Sequence, residues 1–395
     1  MRQRQNLHGT KVMQDKFGIR AESTKDKGVD MIKPGNDPKR ISRLVIRGYK
    51  SIVDSDVELG SINLLIGANG AGKSNFVGFF RLLAQVLEGQ LQIATGRAGG
   101  PDSILHFGRK KTERMEASVY FGALRYAFTL APTSDNRLIF EEELIANTQG
   151  KEVFSSGHFE SQASGYSSSA SGKSLDAIIT AMKGWKIYHF HDTGNSARVK
   201  QVHGINDNQF LSDDARNLAA FLLRLKLHHE KHYGRIVEAI RLVAPFFGDF
   251  LLRPTFHNPE KIQLEWTERG QSEPFMASAL SDGTLRFICL ATALLQPEQF
   301  MPGVILIDEP ELGLHPFAIS VLAGLIRSAS QRQQLIIATQ SVEVVNQFEI
   351  QNLIVVDRYA GSSTFKRLDR ADLSDWLEDY DLGDLWNKNL LGGRP

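Results

Sequence analysis

The sequence predicts an α/β fold with a parallel core sheet, an antiparallel β subdomain and a helical insertion. Three observations carry that expectation. Val304, Ile305, Leu306 and Ile307 are consecutively apolar, the mark of a strand buried on both faces. From Ile262 onward the pattern reads strand, helix, strand, helix, strand, the alternation a parallel sheet requires. Between residues 116 and 145, Ala117, Val119 and Phe121, then Tyr126, Phe128 and Leu130, recur with period two, as in an antiparallel meander.

Taken in chain order, residues 1–40 carry ten Lys/Arg against five Asp/Glu, although the whole chain of 395 residues has a net charge of only +1. This polar, unpatterned stretch is expected to be a disordered basic tail, with nucleic acid or an acidic protein as conceivable contacts. Residues 41–150 are expected to form the first half of the folded body. They open on a strand through Ile41, Leu44 and Ile46, followed by a second apolar run over 62–66, a glycine-rich turn, helical spacing over 76–87 and the meander. Residues 151–250 read as an insertion, with a Ser/Gly-rich mobile loop near 154–174 and then a helical lobe with Leu218, Phe221, Leu222 and Leu225 on one face. Residues 251–395 complete the body and end in an acidic tail.

Composition narrows the function classes. The 42% hydrophobic content fills a sizeable core, yet no apolar run reaches the ~18 residues of a membrane span. No apolar leader stands at the N-terminus, and the single cysteine, Cys289, rules out an internal disulfide. A cytoplasmic protein with no membrane contact is the expectation.

The chemistry concentrates in four places. Gly67-Ala68-Asn69-Gly70-Ala71-Gly72-Lys73-Ser74 matches G-x-x-x-x-G-K-[ST] between a strand and a helix, and Asn69 and the following Asn75 are expected among its nucleotide-binding residues. Backbone N–H groups can wrap a phosphate only where side chains are small or absent, as at Gly67, Gly70 and Gly72, and the helix N-terminus adds favourable partial charge. Lys73 is placed to reach β- and γ-phosphates and the Ser74 hydroxyl to ligate Mg²⁺. A second string, Gly172-Lys173-Ser174, lacks both the upstream glycine and the preceding strand, so it is set aside.

The 304–307 run delivers two carboxylates at its end, Asp308 and Glu309. The first suits Mg²⁺ and the second a general base for water, although a pair of acids also simply ends strands. Leu280-Ser281-Asp282-Gly283-Thr284 precedes a helix, so Ser281 and Gly283 offer a hydroxyl and free N–H groups to a γ-phosphate; a plain helix cap is the competing reading. Finally Glu311-Leu312-Gly313-Leu314-His315-Pro316 leads to an apolar strand that ends in Thr339-Gln340-Ser341, where Gln340 can sense a γ-phosphate.

In order and spacing these four elements resemble the ABC-type ATPase superfamily, specifically its soluble branch of SMC heads, RecF and OLD-type ATPases. The resemblance spans Ile41 to the C-terminus. Tyr188-His189-Phe190-His191-Asp192-Thr193 and the ending Leu385-Trp386-Asn387-Lys388-Asn389-Leu390-Leu391-Gly392-Gly393-Arg394-Pro395 further resemble bacterial ATPases encoded beside a small partner and associated with antiphage defence. The resemblance implies a P-loop NTPase head that binds ATP and Mg²⁺. It also implies self-association, with Ser281 and Gly283 of one copy closing on nucleotide held by Lys73 of another. Two departures stand out: Ser-Asp-Gly-Thr replaces the transporter Ser-Gly-Gly-Gln, and Gln340 replaces the usual switch histidine.

Other features carry weaker expectations. His189 and His191 lie two apart, as a metal pair or as packed strand residues; Arg109-Lys110-Lys111 is a phosphate contact or a basic turn; Tyr49 and Lys50 are loose candidates for an adenine contact. Six acids over 371–384, interleaved with Trp376 and Tyr380, suit a basic partner or a solvated helix. Three functions then compete. The first is a switch that controls a separately encoded effector, the second a DNA-maintenance head, and the third a transporter subunit. The non-transporter signature disfavours the third, and the absence of heptads between Ser74 and Ser281 disfavours an armed version of the second.

Overall fold

Two six-stranded sheets divide the burial between them. The computed structural model describes residues 40–148, 150–163, 179, 182, 184–373, 376 and 379–393. Residues 1–39 of the expected 1–40 basic tail, the Gly172-Lys173-Ser174 string, much of the Ser-rich loop, and Asp375 and Glu378 of the acidic stretch lie outside the described residues.

The mixed sheet runs in the order Ser362–Arg367, Leu353–Tyr359, Ile62–Ile66, Gln334–Thr339, Val304–Asp308, Lys186–Tyr188. All neighbours are parallel except the edge hairpin of 353–359 with 362–367. Its strands are apolar on both faces because both faces are covered. Ile305, Ile307, Leu335 and Ile337 join a core with the helices Leu218–His228, Glu230–Val243, Asp282–Leu295 and Pro316–Ser330. Val304, Leu306, Ile336 and Ala338 join a second core on the opposite side. The helix Lys73–Leu87 packs there through Phe76, Phe79, Phe80 and Leu83, all fully buried, at about 1.5–3 kcal/mol each.

The second core is closed by the antiparallel sheet, ordered Ile52–Glu58, Arg43–Tyr49, Met115–Phe121, Leu124–Pro132, Leu138–Asn147, Gly150–Val153. Register pairs such as Leu44 with Val119 and Val119 with Tyr126 keep the alternating apolar residues on one face.

Three placements differ from the periodicity. The helical stretch is two helices broken at His229, whose φ of −140° leaves the helical region. The residues before the signature do not enter the parallel sheet. Instead 247–251, 265–268 and 274–276 form one small antiparallel sheet, and 203–204, 254–255 and 258–262 form another. The parallel strand comes from Lys186–Tyr188, inside the stretch read as an insertion, and pairs with Ile305–Ile307. A three-residue strand is too short to show a period. Among the described residues no helix is long and apolar enough to cross a membrane.

Candidate active site

The carboxyl ends of the parallel strands all open on one edge, which is where open α/β sheets place their ligand sites. Ile62–Ile66 feeds the glycine loop. Gly67 carries no side chain because a Cβ would overlap the Val356 carbonyl of the neighbouring strand, and Gly72, at φ 124°, would press a Cβ to 2.7 Å from Ser363 Cβ. Ser363 fastens the loop: its hydroxyl donates to Ala71 O at 2.5 Å and is hydrogen-bonded to the Ser51 hydroxyl at 2.7 Å, and Asn75 Nδ2 donates to the same Ser51 Oγ at 2.7 Å. Asn69, Gly70 and Ser74 are exposed. The helix behind the loop starts at Lys73 with Gly72 as its cap and no side-chain hydrogen bond to its first N–H groups. Those donors have no side-chain cap, as an anion site requires.

Lys73 is buried and its ammonium donates to Gly67 O at 2.5 Å and Ala68 O at 3.0 Å. Burial pulls its pKa below the ordinary lysine value, while the charges of Glu309, Asp308 and Glu311 act in the opposite direction. The loop and the acid strand, far apart in sequence, thus form one electrostatic cluster. Burial and then the neighbouring Glu309 charge hold the Asp308 carboxyl above its usual range, partly offset by His191, Lys73 and Arg81. Glu309 has φ 42°, a left-handed conformation uncommon for a side chain of its size, and its N–H donates to Ala338 O at 2.8 Å. Its carboxylate accepts from Gln340 Nε2. Gln340 and Glu309, expected as sensor and base, are therefore in direct contact just past the ends of adjacent strands.

Glu311 lies beneath them. Its Oε1 accepts from Thr339 Oγ1 at 2.5 Å and from Gln340 N at 3.1 Å, while Oε2 is buried with no hydrogen-bond partner among the described residues. Burial raises its pKa as well. Cradle, lysine and acids fit a polyphosphate and a hard cation. The Ser74 hydroxyl and the Asp308 carboxylate are oxygen donors of the kind Mg²⁺ prefers.

The signature residues open a different helix. Ser281 caps the Asp282–Leu295 helix by accepting from Thr284 N at 3.2 Å, and both Ser281 and Asp282 are exposed. Gly283 must be glycine because a Cβ would overlap the Gly313 carbonyl. Arg286, buried one turn on, donates to Phe190 O at 2.9 Å, His191 O at 3.0 Å and Leu312 O. The guanidinium ties the signature helix to the segment after Asp308.

Several side chains of this site were not legible beforehand. Ser51, Ser363, Arg81 and Arg286 have no motif of their own, and Arg286 showed only as a charge on an otherwise apolar helix. His189 and His191 turn out to brace the edge of the site. Neutral His189, pushed down to about 4 by burial and by Arg81, accepts from the Arg81 guanidinium, and His191 Nε2 donates to Asp308 O at 2.7 Å. Tyr49, a candidate adenine contact, is instead buried against Phe79 with ring centroids 5.7 Å apart. Arg109 is engaged by Asp102 and Thr133 O, at 3.1 Å each.

Comparison with known proteins agrees with this geometry. Residues 62–346 match the family described as "AAA domain, putative AbiEii toxin, Type IV TA system". Among solved structures, an Smc head bound to the C-terminal winged-helix domain of ScpA aligns with a TM-score of 0.56 at 17% identity, covering 84% of this chain and 99% of that one. An Smc head with an extended coiled coil, bound to the C-terminal domain of ScpA from Pyrococcus furiosus, aligns at 0.52 and 16% identity, over 86% and 98%. An Smc head with a coiled coil and joint from Pyrococcus yayanosii aligns at 0.52 and 13% identity, over 86% and 99%. At these identities the likeness is one of fold. No curated protein matches the chain.

Proposed function

The chain belongs to this AAA-domain family and is a P-loop ATPase of the ABC/SMC-head type, and on that premise we propose that it hydrolyses ATP as a nucleotide-driven switch acting on a separate protein. The observation that carries the reading is the Glu309–Gln340 pair, clustered electrostatically with Lys73. Lys73 and the backbone donors of Gly67, Asn69, Gly70 and Gly72 hold the β- and γ-phosphates. Asn75 braces the loop through Ser51. Glu309 polarises the attacking water, and Gln340 reports whether the γ-phosphate is present. Ser74 and Asp308 would hold Mg²⁺, which would supply charge neutralisation at the phosphate oxygens.

The site is completed by a second copy. Ser281 is exposed and Gly283 half-exposed, which supports closure over a sister's nucleotide. Mixing Lys73→Ala with Ser281→Arg subunits should restore part of the activity that each lacks.

A protein partner is favoured over duplex DNA. A DNA-clamping surface needs cations free to meet phosphates. On the antiparallel sheet Arg43 instead pairs with Asp56, Arg47 with Asp54 at 3.0 Å and Glu116 at 3.4 Å, and Arg114 with Glu141 at 3.7 Å. Two of the Smc neighbours were solved with ScpA domains bound to the head, and the toxin and TA-system terms in the family description fit a defence setting with a separate effector.

Glu309→Gln tests the reading. Turnover should slow by roughly 10²–10⁴-fold while ATP binding persists and the self-associated state accumulates. A tagged Glu309→Gln protein expressed with its genomic neighbour should hold or release that partner according to ATP. If nucleotide changes neither the bound partner nor the oligomeric state, the switch reading fails and a DNA-clamping head replaces it.

A further inference from the structure

Asp282 poses an electrostatic problem. It opens the signature helix with its side chain 65% exposed, on the surface proposed above to meet a sister copy's triphosphate. A carboxylate set against a phosphate repels it. Where the transporter signature has glycine at this position there is no charge to offset.

Lys200 stands beside it. The residue ends the short Arg198–Lys200 turn, and its side chain is only 6% exposed, with Nζ 3.7 Å from Asp282 Oδ1. Its backbone is pinned on both sides: Lys200 N donates to Ala197 O at 2.9 Å, and Lys200 O accepts from Gln263 Nε2 at 2.9 Å. The turn packs on Ala277–Ala279, the segment that leads into Ser281. The ammonium is therefore held at the signature by elements other than the signature helix itself.

Stability does not account for this arrangement. One loose contact with a mostly exposed carboxylate returns little. At 3.7 Å the pair is also beyond hydrogen-bonding distance, so the three N–H donors are not spent on Asp282, its ion-pair partner among the described residues.

We infer that Lys200 is a positioning residue of the signature, acting through Asp282 to offset its charge so that the anionic tail of a nucleoside triphosphate on a sister copy can approach Ser281 and Gly283. The inference rests on the composite-site reading. Its consequence is an unusual pair of effects: removing the lysine leaves the fold as stable as before, or more so, and weakens ATP-driven assembly.

The test compares wild type, Lys200→Met, Asp282→Asn, the double variant and Ser281→Arg as full-length proteins. Self-association is measured by sedimentation with Mg²⁺ and ATP, and thermal midpoints without nucleotide. Lys200→Met should weaken ATP-dependent association about tenfold or more while its midpoint does not fall, and adding Asp282→Asn should restore association. A lysine that merely packs would lower the midpoint and would not be rescued by Asp282→Asn, and that result overturns the inference. If Lys200→Met associates like wild type while Ser281→Arg does not, the inference falls and the composite site stands. If Ser281→Arg also associates like wild type, both fall.

Discussion

Two helix N-termini define the molecule's chemistry, and they are built in opposite ways. The Lys73–Leu87 helix begins after Gly72 with no side chain on its first N–H groups, in a loop fastened from behind by Ser363 and Ser51. The Asp282–Leu295 helix begins with Ser281 folded onto Thr284 N, its polar end satisfied from within the chain and open to solvent. The first leaves its N–H donors free of any side-chain cap. The second is capped by its own chain. The difference shows that similar elements, helix starts rich in small residues, differ in what they offer an anion according to what caps them.

The largest break in that contrast comes from Lys73→Ala. Deleting the fixed cation at the open end should weaken ATP affinity at least ~100-fold, about 2.7 kcal/mol, by calorimetry. Unchanged affinity would remove the distinction between the two ends. Next in size is a pair of glycine substitutions in the same loop. Gly72→Ala meets Ser363 at φ 124° and should cost roughly 2–4 kcal/mol of stability together with much of the ATP affinity. Gly70→Ala at φ 76° meets nothing within 4 Å and should cost roughly 1 kcal/mol. Equal losses in chemical denaturation would mean that Ser363 does not brace the loop.

How much of this was legible beforehand differs between the two ends. The 67–74 string and the 304–309 run were readable because phosphate binding and strand burial each demand local residue types. Ser281 was readable as a cap, and Gly283 as a small residue, but the reason for Gly283 is the Gly313 carbonyl of a distant loop. Ser363 was invisible, since a serine in a polar hairpin carries no signal.

Ser281→Ala sharpens the contrast at the capped end. It should lower stability by about 1 kcal/mol through the lost Thr284 bond, with ATP binding to the isolated chain unchanged. A calorimetric loss of binding would place Ser281 in its own copy's pocket. The smallest expected effect concerns Glu311. Burial raises its folded pKa, so the folded state binds the proton more tightly than the unfolded one. Stability from this group is then full below the ordinary glutamate range and is lost as pH rises through the raised value. Glu311→Gln keeps an acceptor for Thr339 and Gln340 and should raise the midpoint at neutral pH by about 1–3 °C, flattening its acid dependence. A lower midpoint across the whole pH range would show that the carboxylate stabilises the fold.

By itself the sequence determined the parallel-sheet class, the phosphate loop, the acid pair and the capped signature, because each depends on residue types spaced within a turn or a strand. Tertiary structure alone decided which strands are neighbours. Lys186–Tyr188 lies beside Val304–Asp308, which brings His191 to the Asp308 carbonyl, and Gln334–Thr339 lies on the other side, which brings Gln340 to Glu309. It also decided that Arg286 would reach Leu312 and that Lys200 would stand beside Asp282. Parallel pairing joins segments remote in the chain with no turn between them to set their register, so the partners emerge only when both faces of the sheet are packed.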